Sequence, residues 1–154
     1  MFYFLKEDFE ELNAQIEKLC KKIREIGQEM GKSCQEGAET FHDNFAHEDG
    51  ERQQYMWSNR LRELIRIRNN ACVVDPDSRD DKISIGRLVT IEDEATGKTS
   101  TFRIGSYMVL KVQERSTFSY NSPLVRMLIG AKKDETRKGV VAGKKKVFQI
   151  LKIE

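Results

Sequence analysis

The sequence predicts an α+β fold in two parts. An antiparallel helical hairpin, a coiled-coil arm, takes residues 1–75, and a small antiparallel sheet with one short helix takes 76–154. Three observations carry this reading. From Phe9 the apolar residues fall at Leu12, Ile16, Leu19, Ile23, Ile26 and Met30, an alternation of three and four that makes one narrow seam on a helix. After the polar run Asp75-Pro76-Asp77-Ser78-Arg79-Asp80-Asp81, the spacing shortens to the alternation of strands. Near the end, Asn121-Ser122-Pro123 precedes Leu124, Val125, Met127, Leu128 and Ile129, with Ser122 placed to cap a helix and Pro123 at its first position.

Taken in order, Met1-Phe2-Tyr3-Phe4-Leu5 is a short apolar lead expected to lie against another part of the fold. It is too short, and lacks the basic residues, for a secretory signal. The first helix starts between Lys6 and Asp8, with Glu7 and Asp8 where the helix dipole favours acids, and fades between Lys32 and Ala38. At about 1.5 Å per residue, a helix of about 30 residues reaches roughly 45 Å, longer than a small domain is wide. The second helix runs from about Glu51 to Arg68, with Trp57, Leu61, Leu64 and Ile65 on its seam and Arg60, Arg62, Arg66 and Arg68 towards its end. The turn of the hairpin is expected between Lys32 and Glu51. In the second part, strands are expected over Ile83–Ile91, Thr99–Ile104, Tyr107–Val112, Arg137–Val141 and Lys146–Ile153, with Thr117–Tyr120 a short extended piece. Gly97, Gly130 and Gly143 close the turns and the short helix.

Charge separates the two parts. Residues 1–74 hold 11 basic and 14 acidic side chains, and residues 75–154 hold 16 and 11. Such asymmetry suits a protein whose ends meet different surfaces. It lacks the dense basic face of an independent sequence-specific nucleic-acid binder. The turn of the arm is the acidic extreme. Glu36, Glu39, Asp43, Glu48, Asp49 and Glu51 occur there without a Lys or Arg among them, beside Phe41, Phe45, His42 and His47. Concentrated negative charge at the end of an arm repels itself unless a cation or a basic partner is met there.

Other chemistry finds little support. Cys20, Cys34 and Cys72 share no metal spacing, and their odd number gives no disulfide framework, so a reducing, cytoplasmic setting is expected. His42 and His47 do not form a zinc pair. Helix capping accounts for Ser122 without a nucleophile. Gly139 and Gly143 near Lys144-Lys145-Lys146 lack the spacing of a phosphate loop. No apolar run approaches the about 18 residues of a membrane span.

The second part resembles a known family. Gly86-Arg87-Leu88-Val89-Thr90-Ile91, the Thr96-Gly97 turn with the Phe102-to-Gly105 return, Tyr120-Asn121-Ser122-Pro123-Leu124-Val125-Arg126-Met127-Leu128-Ile129-Gly130, and Gly143 with Phe148-Gln149-Ile150-Leu151-Lys152-Ile153 resemble the carboxyl domain of the GreA/GreB transcript cleavage factors. Arg52-Gln53-Gln54 and Asn59-Arg60-Leu61-Arg62-Glu63-Leu64 extend the resemblance into the arm. It implies an FKBP-like second domain that docks on bacterial RNA polymerase at its secondary channel, while the arm passes inward. The implied docking residues are Asn121, Ser122, Pro123, Arg126, Lys132 and Lys133. The implied activity is stimulation of the polymerase's own cleavage of backtracked RNA, so the protein itself is no enzyme. It is expected to act as a monomer, to meet nascent RNA only indirectly and to have no membrane contact. Asp43 and Glu39 are the implied catalytic and metal-directing acids, sharing a Mg²⁺ that the polymerase supplies; no cofactor belongs to the chain itself. The tip departs from the family's Gly-Asp-Leu-x-Glu-Asn-Ala-Glu-Tyr. Thr40 stands at the first acid, and Asp43, one methylene shorter than Glu, at the second. The competing expectation is therefore a regulator that binds the same channel without stimulating cleavage.

Overall fold

The computed structural model describes residues 1–36, 45–76, 81–110 and 116–154. Two compact units emerge, Glu10–Asn70 and the pair of segments Met1–Phe9 and Ala71–Glu154.

The first unit is a helical hairpin. Helix α1 spans Lys6–Glu36 and helix α2 spans Phe45–Asn69. Leu12, Ile16 and Leu19 of α1 are buried, as are Leu64 and Ile67 of α2. Trp57, Leu61 and Ile65 are half-buried, as are Ile23, Ile26 and Met30. The antiparallel register is fixed at three points. The Lys22 ammonium lies 3.8 Å from the centre of the Trp57 ring, Gln54 Nε2 lies against Gly27, and the Met30 side chain lies on Gly50. Burial thus fades along the seam from Leu12 towards Met30.

The second helix starts earlier than the sequence suggests. Gly50 is helical, and a side chain there would collide with Met30. Glu48 and Asp49 are consequently helical residues, and Asp49 accepts hydrogen bonds from Arg52 (2.8 Å) and Gln53 (2.7 Å). Those bonds, Arg52 first, hold the Asp49 carboxyl below its usual range.

The second unit is a curled five-stranded sheet of order β5-β4-β3-β7-β6, built from β3 (Leu88–Asp93), β4 (Lys98–Gly105), β5 (Thr117–Ser119), β6 (Thr136–Val141) and β7 (Lys144–Ile153). All its ladders are antiparallel except β4·β5, which is parallel. Alternation in β3 puts Val89, Ile91 and Asp93 on the inner face. Val89 and Ile91 join Ile83, Phe102, Ile104, Ile150 and, from the short helix α3 (Pro123–Leu128), Val125 and Leu128 in one core. Ser122 caps α3 as expected, its Oγ accepting from the Val125 N–H at 3.4 Å. Gly130, at φ +80°, ends it and lets its N–H reach the Ile83 carbonyl at 2.9 Å. Ala142 and Gly143, both at positive φ, make the tight β6–β7 turn.

Two features differ from the expectation. Phe2–Phe4 is a strand, β1, paired in parallel with Ala71–Val73, β2. Residues 107–110 form no strand, and 111–115 lie outside the described residues. Tyr107 is drawn instead onto β1: its N–H donates to the Tyr3 carbonyl at 3.0 Å and its ring lies 4.3 Å from that of Phe2. Alternating apolar residues there satisfied a local pattern, but the aromatic lead at the start of the chain offered a stronger partner.

Candidate functional site

The exposed face of α3 gathers four of the six residues expected to dock. Asn121 lies just before the cap and Ser119 Oγ accepts its N–H at 3.2 Å. Its side-chain oxygen accepts from Arg126 Nε at 2.9 Å and also from a terminal guanidinium nitrogen. Asn121 therefore fixes the direction of the exposed Arg126 head. Pro123 is exposed, whereas the Ser122 hydroxyl is engaged in the cap, so its role is to start the helix. Lys132 and Lys133 follow Gly130 on the exposed surface. Lys132 pairs with Asp81 at 2.9 Å, and that hydrogen bond lowers the Asp81 pKa. The arrangement presents one oriented guanidinium and the exposed Lys133, with Lys132 engaged by Asp81.

Sequence reasoning missed two features of this unit. One is an apolar cavity of about 400 Å³ beside α3, bordered by Tyr3, Ser84, Ile85, Tyr120 and Ile129. The other is a polar knot. Ser106 is fully buried; its Oγ accepts the Leu5 N–H at 2.8 Å and donates to Asp8 at 2.5 Å. Beside it, Arg103 pairs with Glu7 at 2.9 Å. Phe2-Tyr3-Phe4 was the available signal, since an aromatic lead of that density seeks cover.

The expected acids Asp43 and Glu39 lie outside the described residues, as does His42. The described His47 lies 3.9 Å from Glu51, one turn on. Among the described residues no group of three or more His, Cys, Asp or Glu side chains is placed to hold a metal. Asp49, the acid that faces its own helix, is already engaged by Arg52 and Gln53. No helix among the described residues is long and apolar enough to cross a membrane.

The chain thus joins a helical hairpin to a curled sheet with one short helix that carries an oriented arginine. Residues 78–154 match the family described as "Transcription elongation factor, GreA/GreB, C-term", and the chain belongs to the GreA/GreB family. It is 26% identical to the transcription elongation factor GreA of Thermotoga neapolitana over 96% of this chain and 94% of that one. It is 31% identical to GreA of Paracoccus denitrificans, over 70% of this chain and 67% of that one. Among solved structures it is similar to GreA factor homolog 1 (Gfh1) of Thermus thermophilus, with 18% identity, a TM-score of 0.45, and 99% and 97% of the two chains covered. Gfh1 of Thermus aquaticus gives 22% identity, a TM-score of 0.42, and 98% and 96%. Proteins of this family bind RNA polymerase at its secondary channel and are accessory factors rather than enzymes.

One expectation is corrected by these comparisons. The expectation of stimulated RNA cleavage does not stand; the roles expected of Asp43 and Glu39 fall outside the described residues. The family model matches the second part of the chain, residues 78–154, so membership does not carry the activity expected of the tip. The physical reason is at hand in the sequence: Thr40 supplies no carboxylate at the first acid position, and Asp43 reaches one methylene less at the second. A catalytic constellation tolerates errors of only about 0.5 Å.

Proposed function

We propose that this protein is a transcription regulator that occupies the secondary channel of bacterial RNA polymerase without stimulating RNA cleavage. In this reading residues 76–154 are the docking domain and residues 1–75 the arm. The observation that carries it is the α3 face, where Asn121 holds the exposed Arg126 guanidinium in one direction. Pro123, Lys132 and Lys133 extend that contact, and Ser122 preserves the helix that presents it. The second part of the chain is net basic and the first net acidic, which suits a body bound at an acidic rim and an arm directed at a cation-bearing centre. Glu39 and Asp43 have no catalytic role here. They present negative charge towards a Mg²⁺ that belongs to the polymerase, and the chain carries no cofactor of its own. A cytoplasmic monomer that meets nascent RNA only through the polymerase completes the reading.

The test is displacement. Labelled GreA bound to core polymerase is titrated with this protein and with the Arg126→Glu variant. The wild-type chain displaces the label, and Arg126→Glu needs at least about tenfold more protein, because a charge is reversed at an oriented contact. Equal displacement by both proteins would remove α3 from the interface.

A further inference from the structure

One flank of the hairpin carries a groove that docking through α3 leaves unexplained. It measures about 230 Å³ and lies between α1 and α2. Its floor is Leu19 and Leu64, both buried seam residues, and its wall is the half-buried ring of Trp57. Lys18, Lys22 and Arg60 form the rim, all three exposed, and no carboxylate lines it among the described residues. The helix period explains the gathering. Lys18 and Lys22 are one turn apart on α1, and Trp57, Arg60 and Leu64 share a face of α2. Arg60 is held by Glu63 at 2.7 Å, but both side chains are largely exposed, and such a pair is readily exchanged for another carboxylate.

We propose that this groove docks an acidic segment of a partner protein, with one apolar side chain seated on Leu19 and Leu64 and flanking carboxylates on Lys18, Lys22 and Arg60. An apolar floor ringed by charge is the layout of an anchor site: the apolar group contributes affinity, and the rim excludes water and sets the sign of the partner. Single-stranded nucleic acid fits less well. A base needs an open ring on which to stack, whereas the Lys22 ammonium already lies 3.8 Å from the Trp57 ring centre. A row of phosphates would also leave the apolar floor uncovered. The inference rests on the hairpin alone and stands whether or not the reading of α3 does.

Trp57 is the single tryptophan of the chain, so its emission reports on the groove directly. The full-length protein is titrated with three probes: a 12-residue peptide of Asp and Glu around one central Leu, the same peptide with Asn and Gln replacing the acids, and a 12-nucleotide oligouridylate. The acidic peptide should change the emission saturably and bind at least about tenfold tighter than the neutral one. The doubly substituted Lys18→Glu, Arg60→Glu protein should lose that binding by at least about tenfold. Lys21→Glu, which alters an exposed residue paired with Glu25 away from the groove, should keep it. Far-ultraviolet circular dichroism confirms that each variant keeps its helices. A flat titration, equal binding of the neutral peptide, tighter binding of the oligouridylate, or an unchanged Lys18→Glu, Arg60→Glu protein would each overturn the proposal.

Discussion

Ser106→Ala is the substitution whose cost is most directly computable from this fold. The Ser106 side chain has no exposed surface, and its oxygen satisfies two groups at once: the Leu5 N–H at 2.8 Å and the Asp8 carboxylate at 2.5 Å. Removing it leaves a buried backbone donor without its partner, which costs about 1–3 kcal/mol. It also takes a charge-assisted bond from a carboxylate that is only 7% exposed, worth about 1.5–3 kcal/mol. Alanine is smaller than serine, so a water molecule that enters the space offsets part of the sum. A net loss of about 3 kcal/mol remains, or a fall in Tm of roughly 6–12 °C at this chain length. Urea unfolding followed by amide and tyrosine circular dichroism measures it. The companion cycle pairs Ser106→Ala with Asp8→Ala. Their effects should fall short of additive by about 1 kcal/mol or more, because each substitution removes the same bond. A loss below about 1 kcal/mol, or strict additivity, would refute the claim that this knot secures the start of the chain.

Two further outcomes follow from the packing and the charges. Leu19→Ala leaves a hole in the seam between α1 and α2, and should cost about 2 kcal/mol or more; thermal unfolding read by Trp57 emission measures the loss. Asp93 is held below the usual carboxylate range, first by the hydrogen bond from Lys146 at 2.6 Å; burial opposes that shift, and the Ala95 and Thr96 backbone N–H groups add smaller support to it. Stability from a lowered carboxylate pKa is complete above the unfolded value of about 3.9 and disappears as pH falls through the folded one. The wild-type Tm should therefore drop as pH falls below about 4, and Asp93→Asn should flatten that drop. An identical slope in the variant would show that the Lys146 pair contributes nothing.

The parts of the fold legible in sequence were those set by local chemistry. The Leu12 to Met30 seam, the Ser122-Pro123 helix start, and the Gly130 and Gly143 turns each had a reason within a few residues, and each stands where it was expected. The parts that were illegible depend on distant partners. Gly50 lies in a helix with Met30 where a side chain would go, β2 exists because β1 comes to pair with it, and Tyr107 leaves its strand pattern for Phe2 and Tyr3. The candidate site divides in the same way. Arg126 and Asn121 were singled out by family resemblance, and the hydrogen bond between them was not readable from their spacing. The groove at Trp57 needed both helices in register. Asp43 and Glu39 lie outside the described residues.

The central claim is that this protein occupies the polymerase channel without promoting cleavage, and one assay addresses it. A backtracked elongation complex, assembled with RNA labelled at its 5′ end, is incubated with Mg²⁺ and the protein at a concentration that saturates binding. Shortened RNA is then followed in time beside GreA. The account predicts that the protein leaves the rate of RNA shortening at the polymerase's own level, and that adding it before GreA suppresses the GreA-dependent rate. Shortening accelerated by this protein alone would contradict the account, as would a GreA-dependent rate that its presence leaves unchanged.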